Sequence, residues 1–121
     1  MTITAMDLVV AAKKNISEIH HETAAKKLST TLILDVREPA EYTTGCLPGA
    51  INIPRGVLEF KICNHPTFQD KHHENIIVYC LTGGRSALAT EALHKLGYIN
   101  AVSMAGGFTL WKDSGLPVEQ P

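Results

Sequence analysis

Short apolar runs of β-branched and aliphatic residues alternate along the chain with stretches whose apolar positions recur at helical spacing. Ile16 to Ile19, Thr31 to Leu34, Ala50 to Ile53, Ile76 to Tyr79 and Ala101 to Met104 read as strands. Thr31 to Leu34 is continuously apolar up to Asp35, the pattern of a strand buried on both faces of a parallel sheet. Between these runs lie the predicted helices. Thr4 with Asp7 three residues on resembles a capping box and opens an apolar helix through Ala12, closed near Lys13-Lys14. Ala24, Ala25 and Leu28 make one face of a second helix with Lys26 and Lys27 outward. Pro39, after Glu38, starts a brief helix through Tyr42.

Pro54 stops the third strand, Arg55 to Ile62 reads as a helix, and Asn64 to Asn75 is a polar connection. Leu88, Ala89, Ala92, Leu93 and Leu96 form the stripe of a longer helix ended by Gly97, and a last helix spans Phe108 to Lys112 with Trp111 as a core anchor. No internal repeat appears. Strands alternating with helices give an α/β fold with a doubly wound, mainly parallel sheet, and such sheets bind ligands beyond the carboxyl ends of their strands. Cys80 and Asp35 stand at two such ends.

Residues 80 to 86 carry the strongest chemical signal: Cys80-Leu81-Thr82-Gly83-Gly84-Arg85-Ser86, directly after a strand and directly before a helix. Two glycines let the backbone curl so that its N–H groups converge on one concavity. Those amides, the helix N-terminus and the Arg85 guanidinium all favour an anion there. The same field favours thiolate over thiol, so Cys80 is expected below the free-cysteine pKa of about 8.5 and nucleophilic near neutrality. A core cysteine is the structural alternative, but it needs neither a flexible loop nor an adjacent guanidinium.

Eleven basic and twelve acidic residues in 121 leave the charge near zero, with no basic stripe interleaved with aromatics, which argues against nucleic acid. The apolar runs are far shorter than a membrane span and Asp7 interrupts any leader-like run, so no membrane association and a cytoplasmic location are expected. Three cysteines, Cys46, Cys63 and Cys80, without regular spacing make poor material for a disulfide framework. His20-His21 and His72-His73 are adjacent pairs that point to different faces, so no metal site and no cofactor are expected.

Three segments together resemble the rhodanese-homology domains over roughly residues 16 to 118. They are Asp35-Val36-Arg37-Glu38-Pro39-Ala40-Glu41-Tyr42 with the following Gly45 to Pro54, the Cys80 to Ser86 loop as a Cys-x-x-Gly-x-Arg-Ser signature, and Gly106-Gly107-Phe108 with Trp111. The resemblance implies a five-stranded parallel sheet flanked by helices, one domain over 16–118, and residues 1–15 as an N-terminal helical extension. It also implies sulfurtransferase chemistry. Cys80 would take the outer sulfur of a donor such as thiosulfate as a persulfide and pass it to cyanide, a thiol or a sulfur-relay protein. Leu81, Thr82, Gly83, Gly84, Arg85 and Ser86 would surround the transferred sulfur, with Arg85 orienting the anionic donor and Asp35 in a supporting position.

Several features depart from that pattern or stay open. Position 46 is Cys where the family usually has His, so Cys46 is either a second thiol for the chemistry or a buried small hydrophobe. The loop has a single guanidinium, which suits a dianionic donor only modestly. Four residues separate Cys80 from Arg85, one fewer than in the Cys-x5-Arg loops of phosphatases and arsenate reductases of the same fold, and the smaller ring suits a sulfur better than a phosphate. A non-catalytic binding module is the other alternative. Arg37 with Glu41, four apart, reads as an ion pair, Arg55 as a surface residue, and Ser86 as either a hydroxyl of the loop or a helix cap.

Overall fold

In the computed structural model, which describes residues 1–121, β1 (Glu18–Ile19), β2 (Leu32–Asp35), β3 (Ile51–Asn52), β4 (Ile76–Tyr79) and β5 (Ala101–Met104) form one sheet. The strand order is β1-β5-β4-β2-β3 and every ladder is parallel. Strand β4 is buried at every position. Its side chains and that of Cys80, which follows it, alternate between two apolar layers: Ile76, Val78 and Cys80 join Leu58, Ile62 and Leu93 on one face, while Ile77 and Tyr79 join Ala24, Phe108 and Trp111 on the other.

The helices are α1 (Ala5–Lys13), α2 (His21–Ala25), α3 (Pro39–Tyr42), α4 (Leu58–Lys61), α5 (Gly84–Lys95) and α6 (Gly107–Asp113). Thr4 and Asp7 cap α1 reciprocally, Thr4 Oγ1 accepting the Asp7 N–H at 3.1 Å and Asp7 Oδ2 accepting the Thr4 N–H at 2.8 Å. Trp111 is fully buried and its indole N–H donates to the Pro117 carbonyl at 2.7 Å.

The first three strands differ from expectation by one or two residues at their ends, and three other expected elements differ more. The stretch from Arg55 to Ile62 is not one helix: 3-10 turns at Arg55–Val57 and Ile62–Asn64 flank the single turn of α4. Leu58 and Ile62 still reach the core from it. Leu28 does not continue α2, which ends at Ala25, and instead opens a separate 3-10 turn, Leu28–Thr30. The buried face of α5 holds Ser86, Ala87, Ala89, Thr90 and Leu93, with Leu88 and Ala92 only partly covered. Two hydroxyls inside that face are tolerable because both are bonded: Thr90 Oγ1 donates to the Ser86 carbonyl at 2.7 Å, and Ser86 Oγ bonds the loop and β5 as described below.

From β2 the chain proceeds to an outer neighbour on one side, β3, and from β4 to β5 on the other. The segments leaving β2 and β4 therefore diverge, and a crevice opens between them at their carboxyl ends. Asp35 pairs in register with Tyr79, which places residues 36–44 beside residues 80–86.

Candidate active site

Cys80 is 1% exposed at the end of β4, and its Sγ lies at the focus of the following loop. The Gly83 N–H donates to Sγ at 3.1 Å and the Ser86 N–H at 3.3 Å. Gly83 reaches this geometry through a left-handed φ of 108°, which a side chain would resist. The thiol lies 3.5 Å from Ser86 Oγ, and that hydroxyl donates to the Gly83 carbonyl at 3.2 Å and meets Ser103 Oγ of β5 at 2.8 Å. Ser86 is thus inside α5 as a sulfur and hydroxyl partner, and the N-cap position belongs to Gly83.

The outer side of the loop is held by α6. The Phe108 N–H donates to the Cys80 carbonyl at 2.8 Å and the Thr109 N–H to the Leu81 carbonyl at 3.0 Å. Such closeness requires Gly107, where a Cβ would come within 2.6 Å of the Cys80 and Leu81 carbonyl oxygens. Leu81 and Thr82 are exposed, and Gly84 and Arg85 partly so.

The expected Arg37–Glu41 pair does not form. Arg37 precedes Glu38, the N-cap of α3, so the two residues do not share a helix face. Arg37 instead folds back on Asp35, with Nε 3.1 Å from both carboxylate oxygens and Nη2 2.8 Å from Oδ2, and Nη2 also donates to the Gly45 carbonyl at 2.7 Å. Both members are buried, 0% and 1% exposed. Burial alone lowers the Arg37 guanidinium, but the hydrogen bonds and charge of Asp35 outweigh it and leave the group raised. Asp35 makes no hydrogen bond to residues 81–86; it caps the turn through the Arg37 N–H and accepts the Tyr79 hydroxyl at 2.8 Å, so it braces the residue immediately before Cys80.

Glu41 pairs with Arg85. The two guanidinium nitrogens Nη1 and Nη2 meet Oε1 and Oε2 at 2.7 and 3.0 Å, a parallel fork. That hydrogen-bonded fork holds the Glu41 carboxyl down to about 2 from its ordinary 4.5. Since the folded value is the depressed one, the pair's contribution to stability is complete above about 4.5 and is lost as pH falls toward 2. Denaturant unfolding followed from pH 5 to pH 2 is expected to show a shallower loss of stability in Glu41→Gln than in the natural protein. Equal slopes in that window would show that the pair does not support the fold.

Cys46 is 2% exposed and packs with Leu47, Phe108 and Trp111 on the face of the sheet opposite Cys80. Burial pushes its thiol up, and its backbone pairs with Glu119 in both directions at 2.8 and 2.9 Å. It is a core residue. Cys63 is exposed. Arg55 pairs with Glu59 at 2.8 Å. His20 is exposed and His21 buried; with Glu22 they bring ligand-type atoms within 4.8 Å of one another. His20 Nδ1 accepts the Glu22 N–H and His21 Nε2 meets Ser114 Oγ at 3.0 Å, bonds that fasten the start of α2. Two contacts of the site had no readable signal in the chain. Ser103 sits unremarked in an apolar strand, and Glu41 finds a partner 44 residues away.

The family model for the rhodanese-like domain matches residues 17–114, a span that takes in all five strands and the Cys80 loop. The chain belongs to this family. Among curated relatives, a sulfurtransferase of Allochromatium vinosum is 30% identical, covering 88% of this chain and 97% of its own. Thiosulfate sulfurtransferase 16 of Arabidopsis thaliana is 37% identical, covering 71% and 78%. A solved structure from Rhodopseudomonas palustris, of a protein of unknown function described as a possible tyrosine phosphatase, superposes with a TM-score of 0.88 at 30% identity, covering 98% and 96%. A human single-domain sulfurtransferase superposes at 0.73 with 26% identity, covering 79% and 95%. The rhodanese domain described here is accordingly an enzyme of the rhodanese sulfurtransferase superfamily, with the five-stranded parallel sheet expected of it. None of its helices is long and apolar enough to cross a membrane.

Proposed function

We propose that this protein moves sulfane sulfur from a small donor such as thiosulfate to a thiol or cyanide acceptor through a persulfide on Cys80. The observation that carries this reading is the pair of N–H groups, Gly83 and Ser86, aimed at Sγ from 3.1 and 3.3 Å. Donors so placed stabilise a sulfur anion before and after each transfer without reorganising. The Cys80 thiolate attacks the outer sulfur of thiosulfate; a sulfur–sulfur bond forms and sulfite leaves with the electron pair of the bond it shared. The acceptor then attacks the outer sulfur of the Cys80 persulfide, and the Cys80 thiolate is the leaving group.

Leu81, Thr82, Gly83, Gly84, Arg85 and Ser86 surround the transferred sulfur in this reading, with Asp35 supporting through Tyr79. The fork to Glu41 fixes Arg85 beside the loop but neutralises much of its charge, so a dianionic donor is expected to be used only modestly. The domain boundaries in this proposal are 16–118, with 1–15 as a helical extension lying along α5 through α1. A sulfur-relay protein is a further class of acceptor.

A second reading, a cysteine-dependent phosphatase or arsenate reductase, draws on the description of the Rhodopseudomonas palustris structure. Four residues between Cys80 and Arg85, and an arginine already bound to Glu41, favour sulfur over a phosphate. Peptide mass spectrometry of protein exposed to thiosulfate without reductant separates the two. One added sulfur on the Cys80 peptide, removed by cyanide with release of thiocyanate, is expected. An unmodified peptide together with hydrolysis of p-nitrophenyl phosphate would replace the sulfurtransferase reading with the phosphatase one.

A further inference from the structure

Between α3 and α6 a cavity of about 490 Å3 opens beside the Cys80 loop, in the size range of small-molecule sites. Leu81, the residue after Cys80, lines it, and so does its neighbour Thr109, whose N–H donates to the Leu81 carbonyl at 3.0 Å. Loop and cavity are therefore one rigid construction. The space far exceeds what cyanide or a single sulfur occupies, so it is suited to the body of a larger reactant.

The charged groups around the cavity divide into spent and unspent. Glu41 is consumed by the two-pronged pair with Arg85. Arg37 uses Nε and Nη2 for Asp35 and Gly45, while Nη1 has no protein partner. The Arg37 guanidinium also lies over the Phe108 ring at 4.3 Å, which shields its face and leaves an edge for hydrogen bonding. Although 1% exposed, Arg37 is part of the cavity lining. Lys112 and Asp113 stand exposed at the rim and enter no ion pair. The cavity thus offers an unpartnered N–H of a fixed guanidinium, a free ammonium and a free carboxylate.

We propose that this cavity is the acceptor subsite and that it selects thiols carrying an α-amino acid group. The acceptor's carboxylate is received by Arg37 Nη1 and the Lys112 ammonium, and its ammonium by Asp113. This rests on the persulfide reading of Cys80. The acceptor thiolate, held by its polar end, attacks the outer sulfur of the persulfide; that sulfur leaves with the acceptor as a new persulfide, and Cys80 departs as thiolate with the electrons of the broken bond. Charge-assisted contacts of this kind supply selectivity among thiols of equal reactivity.

Four small thiols dissect the site: cysteine, 3-mercaptopropionate, cysteamine and 2-mercaptoethanol, each measured on the full chain with thiosulfate as donor and expressed relative to cyanide. Lys112→Glu is expected to lower relative kcat/KM about tenfold for the two carboxylate thiols, chiefly through KM, the loss of one charge-assisted contact. The ratio for cysteamine and 2-mercaptoethanol should stay within about twofold on the same grounds. A uniform change across the four thiols, or no change, would overturn the subsite. Binding gives a check independent of turnover, because S-methylcysteine carries the recognised group and no free thiol. Saturable shifts of the Thr109 and Lys112 amide resonances on adding it are expected, and their absence also overturns the proposal. Failure of thiosulfate to yield thiocyanate would count against the persulfide on Cys80, whereas the S-methylcysteine titration would still decide the cavity.

Discussion

Replacing Cys80 by serine is expected to reduce thiocyanate formation from thiosulfate to the background rate while the protein stays folded. Serine has nearly the same size, and its oxygen can accept the same Gly83 and Ser86 N–H groups that point at Sγ. The structural cost should therefore be small, about 1 kcal/mol or less in denaturant unfolding. What serine cannot do is carry a sulfane sulfur, so the covalent intermediate disappears and both half-reactions with it. Cys63→Ser, at an exposed position on the 3-10 turn after α4, should retain near-normal turnover. Thiocyanate production surviving in Cys80→Ser would remove Cys80 from the chemistry.

Arg37→Leu is expected to be the most destabilising single change at the site. The substitution leaves the Asp35 carboxylate, 0% exposed, without its counter-charge, and it strips the Gly45 carbonyl of its donor. Breaking one side of such a buried pair costs roughly 3–5 kcal/mol, because the remaining charge has neither water nor a partner. For a chain of this size that corresponds to a fall in Tm of roughly 10 °C or more. The effect should reach function, since Asp35 also holds the Tyr79 hydroxyl one residue before Cys80. Thermal and denaturant unfolding check the prediction; a loss below about 1 kcal/mol would mean that the pair is not what fixes the segment between β2 and α3.

Much of the architecture was legible because its signals are local. Pro39 at the first position of α3 and the unbroken apolar character of β4 each act within a turn or a strand, and both elements have the expected bounds. The Arg55–Ile62 segment was less readable. Its buried residues, Leu58 and Ile62, have helical spacing, but Val57 and Lys61 adopt φ near −122° and −110°, so the chain changes turn type around them. Apolar spacing reports which residues face the core and is blind to whether each turn is α or 3-10.

The ion pairs show where local reasoning stops. The i,i+4 rule that joined Arg37 to Glu41 assumes one continuous helix, and the N-cap at Glu38 lies between them. Arg37 then finds Asp35, two residues back and equally buried, because an isolated charge there would be far costlier than the pair. Glu41 is left to meet Arg85, and Ser86 to meet Ser103.

By itself the sequence determined the alternation of strands and helices, the caps and breaks that bound several of them, and the loop that sets a cysteine among backbone amides. Those depend on propensity, burial period and turn chemistry, all of which act within a few residues. Only the tertiary structure decided which charge meets which, which hydroxyl backs the sulfur, and where the cavity opens. Parallel pairing of β2 with β4 brings segments 44 residues apart to the same edge of the sheet, and partners there are chosen by proximity in space and the cost of burying an unpaired charge, not by spacing along the chain.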